Sequence, residues 1–410
     1  MSAADAALAP TAIVRGYLQF GGACPDTAAL KNVLAQANVT APHSGKPYSE
    51  TLLFGLAGGL GGSYATHSVP GGILPMLGFR HLWNAGRGDF LRAACRRIGV
   101  GAEVIECDTP AGAESQVRRA LTAGRPAVVW LDPSRLPHRV LPKEPADLYQ
   151  HPVVVFGWDA PVSRVHVDDR SAVSFTVTPA QLAEARAGTG GGRLLRVEGA
   201  SRPPDLAAAL LEAIQTGCDA MLRGKNDASG LPGLDLLARR IADERDPKGW
   251  PTVFPPGPKL FTALSTLFHR IETAGTGGGA FRRMYASFLD ESGEVLGKRE
   301  FVRIAASYRE LARRWTELAR AALPDGVREL KKTRELYTLA TRLHEERGPG
   351  AAPELKKLAA QQQAIEAAVA AAFPLDAEGV HELLVALAGR LAEIVREERA
   401  AATALARAAA

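Results

Sequence analysis

Cys24 is flanked by Gly21, Gly22 and Pro25 and followed by an apolar pattern of helical spacing from Thr27 to Leu34. Glycine and proline let a chain turn sharply just before a helix. A thiol placed there faces unpaired backbone N–H groups and the positive end of the helix dipole, and both favour the thiolate. Gln19, five residues upstream, can set a side-chain amide beside the same sulfur, where negative charge develops on oxygen during acyl transfer. This stretch therefore reads as a nucleophile with an oxyanion donor. Taken alone it also reads as a buried cysteine in a turn before a core helix.

A general base stands far downstream, in YQHPVVVFGWDAPVSRVHVDDRS, Tyr149 to Ser171. Val153 to Phe156 form a buried strand, Trp158 to Ser163 a turn, and Arg164 to Val167 an alternating return strand, so the stretch is a hairpin. His151 enters the first strand; Asp168 and Asp169 leave the second. In an antiparallel pair these ends are neighbours. A carboxylate there can accept from one imidazole nitrogen, fix the tautomer and leave the other nitrogen to work on a thiol. Which aspartate faces His151 depends on register, because a one-residue slip swaps the faces, and both stay open. By itself His151 is a satisfied histidine at a strand end; with Cys24 it becomes a catalytic partner. Of the other histidines, His43 and His67 lie in Gly/Pro-rich loops, His138 in a proline-rich loop and His269 on a helix, while His344 and His381 fall on charged helices as surface residues.

At 410 residues the chain is too long for one ordinary core. Its 46% hydrophobic and 23% charged residues describe a soluble globular protein. No run of about 18 apolar residues and no secretory signal pattern occur, so a cytoplasmic protein without membrane contact is expected. The four cysteines, Cys24, Cys95, Cys107 and Cys218, lie far apart with no CxxC or CxxH pair, and signal neither a metal site nor a disulfide framework. The net charge of +5 is spread among interleaved acidic residues, which argues against nucleic-acid binding.

These groups need elements to hold them. Residues 1–12 read as a loose arm, and 13–200 as a mixed helix-and-strand domain. Ser49 and Glu50 open a helix, and Glu50 is a candidate substrate contact. The glycine-dense GLAGGLGGSY, Gly55 to Tyr64, lacks the spacing of a phosphate cradle and reads as close backbone approach. A helix from Arg87 to Gly99 carries Cys95 on its apolar stripe. A strand (Ala102 to Cys107), a helix (Ala111 to Ala123), a buried strand (Pro126 to Leu131) and a short helix (Thr178 to Ala187) follow in turn, the last leading into a flexible link at 188–192. After SRPPD, Ser201 to Asp205, the chain becomes almost wholly helical to residue 410. There GTGGGAFRRMYASFLDE, Gly275 to Glu291, can open a helix N-terminus toward an anionic or carbonyl ligand, with Gly277, Gly278, Arg282 and Tyr285 as substrate contacts. Close helix packing is the alternative. The amphipathic helices from Phe301 onward read as an antiparallel bundle that suits a homodimer as readily as a monomer.

With Cys24, SETLLFGLAGGLGGSY, QHPVVVFGWD and VDDRS in order, the first half resembles the N-terminal domain of the BtrH acyltransferase family of butirosin biosynthesis. That family has a papain-like fold related to bacteriocin-processing cysteine peptidases. AALLEAIQTGCDAML, GTGGGAFRRMYASFLDE and AASYRELARRWTELARAAL resemble the helical domain of unknown function, DUF4872-like, that commonly follows. The resemblance implies an α+β papain-like domain followed by an all-α domain. It implies Cys24 as nucleophile, His151 as general base, Asp169 as orienting acid and Gln19 as the oxyanion glutamine. At Ala23 the chain departs from many relatives, which carry His before the cysteine.

The expected reaction moves an acyl or aminoacyl group from a carrier-protein or CoA thioester, through a Cys24 acyl-enzyme, to a small-molecule or peptidic amine. No bound cofactor is required; the phosphopantetheine arm arrives with the substrate. A cysteine peptidase or amidase would use the same residues, and a scaffold protein would keep the fold without the chemistry.

Overall fold

The computed structural model describes residues 9–69, 72–82, 88–143, 145–188, 192–200 and 204–410. Its strands are β1 (Thr11–Ile13), β2 (Leu60–Val69), β3 (Gly72–Arg80), β4 (Val100–Ile105), β5 (Ala127–Leu131), β6 (His151–Asp159), β7 (Arg164–Asp168), β8 (Phe175–Val177) and β9 (Leu194–Ala200). Its helices are α1 (Pro25–Gln36), α2 (Glu50–Leu56), α3 (Asp89–Arg97), α4 (Pro110–Thr122), α5 (Pro179–Arg186), α6 (Leu206–Arg223) and α7 (Gly230–Ala242). They continue with α8 (Trp250–Val253), α9 (Pro258–Glu272), α10 (Arg282–Leu296), α11 (Arg299–Ala322), α12 (Arg328–Arg347), α13 (Ala352–Ala371) and α14 (Ala377–Ala409). The first eight residues of the expected arm, Arg87, the middle of the 188–192 link and the first three residues of the 201–205 boundary lie outside the described residues.

The chain separates into two compact units, each assembled from three stretches. The first holds Met1–Leu53, Gly86–Leu206 and Arg342–Lys356; the second holds Phe54–Ala85, Ala207–Thr341 and Lys357–Ala410. A single cut at residue 200 does not reproduce this division. Phe54–Ala85 goes with the helices, and Arg342–Lys356 goes with the sheet.

In the first unit β1 and β4–β9 build a seven-stranded sheet, ordered β4-β9-β5-β6-β7-β8 with β1 beside β6, and the pairings described are antiparallel. Thr11–Ile13, the end of the expected arm, pairs with Gly157–Asp159. The run AVVWL of β5 is buried at every position, as a central strand covered on both faces must be. Val129, Val153, Val155, Val165 and Val167 form the middle of one core, closed by Leu121 and Val117 of α4 and Leu182 of α5. Cys95 of α3 is buried, as its place on the apolar stripe predicts.

The second unit is a β2–β3 hairpin with helices around it. The sequence reading places no strands at 60–80, because glycines in both strands and Pro75 in the second hide the alternation. Those glycines explain the close packing: a Cβ on Gly61 would lie 2.3 Å from the Arg80 carbonyl oxygen and one on Gly62 2.7 Å from that of Gly230. Gly55 and Gly59 likewise admit the rings of Phe288 and Tyr285. Among the described residues no helix is long and apolar enough to cross a membrane.

Candidate functional site

Cys24 is the N-cap of α1, with extended backbone (φ −85°, ψ 122°) and Pro25 at the first helical position. Its carbonyl takes the first intrahelical bond, from the Ala28 N–H at 2.8 Å. Gly21 makes the preceding turn at φ +66°, where a side chain would be strained, and a Cβ there would also meet the Arg170 carbonyl oxygen at 3.1 Å. The residue is buried. Cysteine supplies no side-chain cap to α1; Glu50 does so instead. Its Oε1 accepts the Cys24 N–H at 2.6 Å and its Oε2 the Ala23 N–H at 3.1 Å, and burial raises its carboxyl above the usual range despite those bonds. Glu50, expected as a substrate contact, therefore holds the cysteine turn, with both its oxygens engaged by backbone.

Asp168 and Asp169, between which strand register leaves the sequence reading open, meet different partners. Asp168 ends β7 opposite Val154, and successive residues of an extended chain point to opposite faces. Asp168 turns to the Tyr17 hydroxyl (2.6 Å) and the Asn32 amide, and burial pushes its carboxyl up to about 6. Asp169 turns the other way and meets His151, Oδ1 to Nε2 at 2.6 Å. Two groups that sequence reading passed over complete this centre. Arg139 grips Asp169 with Nε to Oδ2 (2.9 Å) and Nη2 to Oδ1 (2.7 Å), and its Nη2 lies 2.8 Å from His151 Nε2. His138 Nε2 is 2.9 Å from Asp169 Oδ2. Neither position carries a motif; only the path of the 136–150 loop brings them to the carboxylate.

Burial of Asp169 works against ionisation, but the Arg139 and His151 charges and the hydrogen bonds from His138 and His151 outweigh it and hold the carboxyl well below the usual range. Burial pulls His151 below its ordinary value, with Asp169 pulling it up and Arg139 and Arg170 pushing it down. Asp169 is thus a carboxylate set against an imidazole that burial makes readier to release its proton.

Gln19 donates its amide Nε2 to the Ser171 carbonyl at 2.6 Å, which ties it to the stretch that follows Asp169. Arg170, at φ +62°, donates to the Ala23 carbonyl at 2.9 Å, and burial, with the Arg139 charge beside it, pulls its guanidinium below the ordinary value. The segment Asp169–Ser171 therefore touches the cysteine turn, the glutamine and the histidine at once. His344, expected on a surface, is buried, with Nε2 3.0 Å from the Asp169 carbonyl oxygen. The helical face looked charged because Glu345, Glu346 and Arg347 surround it in sequence.

The other expected substrate contacts belong to the second unit and are structural there. Gly277 to Phe281 run at positive φ, and a Cβ on Gly279 would lie 2.7 Å from the Ala312 carbonyl oxygen, so close packing explains these glycines. Gly278 donates its N–H to Thr276 Oγ1. Arg282 is fully buried, bonds Glu398 Oε1 at 2.6 Å and the Ala280 carbonyl at 2.6 Å, and lies over Trp315. Tyr285 is buried against Gly59, Phe288 and Tyr308. Close packing accounts for these glycines, and the Arg282 charge is met within the second unit by Glu398.

Residues 24–170 match the family described as Butirosin biosynthesis protein H, N-terminal, a span that opens at Cys24 and closes just after Asp169. Residues 180–349 match the Domain of unknown function DUF4872. No curated protein matches the chain.

Proposed function

We propose, from the match of residues 24–170 to butirosin biosynthesis protein H N-terminal domains and of residues 180–349 to DUF4872, that the chain is a cysteine-dependent acyltransferase of natural-product biosynthesis. On this reading its N-terminal domain is papain-like. The observation that carries the reading is the 2.6 Å contact of His151 Nε2 with Asp169 Oδ1, in the compact unit whose first helix begins at Cys24.

Cys24 Sγ gives its proton to His151 and attacks the carbonyl of an acyl thioester carried by an acyl carrier protein or CoA. The C–S bond to the phosphopantetheine arm then breaks, and its sulfur takes the proton from the imidazolium. An amine next attacks the Cys24 thioester, His151 accepts its proton, and the thiol is regenerated as the amide leaves. Asp169, on Nε2, stabilises each imidazolium and leaves Nδ1 for the thiol. Of the two N–H groups on the Gln19 amide, one serves the Ser171 carbonyl and the other is left for the oxyanion. The Cys24 N–H joins it only if Glu50 turns away. The chemistry is downhill from thioester to amide and uses no metal or nucleotide.

Intact mass after incubation with a panel of acyl-phosphopantetheine thioesters, first without and then with an amine acceptor, tests this. The expected result is an acyl adduct on the wild type, absent from Cys24→Ala, that is discharged to amide when amine is added. Discharge to free acid alone would make the protein a cysteine hydrolase. No adduct on either protein, with carrier protein still binding, would leave a scaffold.

A further inference from the structure

The last turn of α12 and the residues after it, Arg342–Lys356, belong to the compact unit that holds Cys24, His151 and Asp169, although most of the DUF4872 match lies in the other unit. Within that unit they grip the three residues that follow β7. His344 Nε2 meets the Asp169 carbonyl at 3.0 Å, and Glu345 Oε1 meets Arg170 Nη1 at 3.0 Å. Gly348 sits so close that a Cβ would lie 2.8 Å from Ser171 Oγ. The His344 ring is stacked on Phe175, centroids 5.0 Å apart, and on His138 at 5.8 Å. The same three residues reach the Ala23 carbonyl, the Gly22 N–H and the Gln19 amide.

We propose that the end of α12 is a built-in part of the catalytic unit, and that His344 is a positioning residue that fixes the Asp169 carboxylate against His151. A carbonyl oxygen only accepts, so His344 carries its proton on Nε2 and donates. Burial and the neighbouring Arg139 charge keep the ring neutral. The backbone of Asp169 is thereby pinned from α12 while its side chain is held by Arg139 and His138, and the orienting acid has no freedom to swing from the imidazole. This gives a stretch of a domain without assigned function a definite task. It rests on the reading of Cys24, His151 and Asp169 as the catalytic trio. Charges that bear on the pair come from every neighbouring element: His138 and Arg139 before β6, Asp168 and Arg170 at the end of β7, His344 and Glu345 on α12, and Cys24 on α1.

The test is the pH dependence of Cys24 alkylation by iodoacetamide in the full-length protein, read by peptide mass. It needs no knowledge of the acyl substrate. Loosening Asp169 weakens the imidazolium that accompanies the thiolate, so His344→Leu should move the reactivity midpoint up toward the ordinary thiol value of about 8.5 and slow alkylation near neutrality about ten-fold or more. His344→Gln, whose amide N–H can reach the same carbonyl, should keep the wild-type profile, and His344→Asn, which is too short, should not. If His344→Leu fails to fold, the Gln and Asn variants carry the comparison. A lowered melting temperature with an unmoved midpoint, or equal shifts for Gln and Asn, would overturn the positioning role. An ordinary thiol midpoint in the wild type would instead overturn the catalytic reading, and this inference with it.

Discussion

Asp168 and Asp169 are neighbours in sequence with opposite surroundings, and the difference is legible in chemistry. Asp169 faces cations and is held ionised; Asp168 faces a phenol and an amide and is pushed up to about 6 by burial. Asp169→Asn should lower kcat about 10⁴-fold, as loss of an orienting acid does, whereas Asp168→Asn should leave the rate within an order of magnitude. Rates of both variants with the best donor thioester check this. Stability should also depend on pH with a definite sign. His151 and His344 titrate below their unfolded values, so the unfolded chain binds more protons as pH falls through about 6.5, and stability is lost there. Asp168 opposes this: its raised value means stability is gained as pH falls from about 6 toward 4. Between pH 7 and pH 5 the melting temperature should therefore fall less, or rise more, in His344→Gln than in the wild type, because the variant lacks one of the two histidines. Equal slopes would count against a buried neutral His344.

Elements meet at the turn before α1. Gly22 has room for no side chain: a Cβ there would lie 2.6 Å from that of Ala28 and 2.8 Å from Glu50 Oε2. Gly22→Ala should push Glu50 off the Cys24 N–H and cost about 1–3 kcal/mol through overpacking. Glu50→Ala leaves the Ala23 and Cys24 N–H groups without their acceptor, at about 1–3 kcal/mol. Urea unfolding of both variants measures these costs, and a loss below about 0.5 kcal/mol in either would contradict the role given to Glu50. This anchoring was invisible in sequence, because Ser49-Glu50 looks like any helix start. The helix itself, its proline and its cysteine were legible, since they depend on local backbone rules alone.

At the scale of the molecule, each compact unit borrows a stretch from the far side of any single cut. Residues 1–206 alone lack Arg342–Lys356, and 207–410 alone lack the β2–β3 hairpin. Both fragments should expose apolar surface and bind a hydrophobic dye, while the full chain should not; two well-folded, dye-silent fragments would refute this. The second unit has its own keystone in the buried Arg282–Glu398 pair, to which the Trp315 indole N–H also donates at 2.8 Å. Arg282→Met strands the glutamate in the interior and should cost about 3–5 kcal/mol, read as a lowered denaturation midpoint. A small effect would mean that water reaches Glu398.

The sequence by itself determined the mixed sheet-and-helix first half, the helical second half, and the candidate cysteine and histidine, because periodicity, turn residues and strand ends are local properties. It also carried the resemblance to butirosin biosynthesis protein H N-terminal domains, through motifs kept in order. Strand register left both aspartates open, and only the tertiary structure shows that the one meeting His151 is Asp169, the residue the family resemblance named. Tertiary structure alone brought Arg139, His138 and His344 to Asp169, from a loop and from a helix 175 residues away. And it alone showed Arg282 paired with the buried Glu398, because the partner of an arginine is set by the charge packed against it.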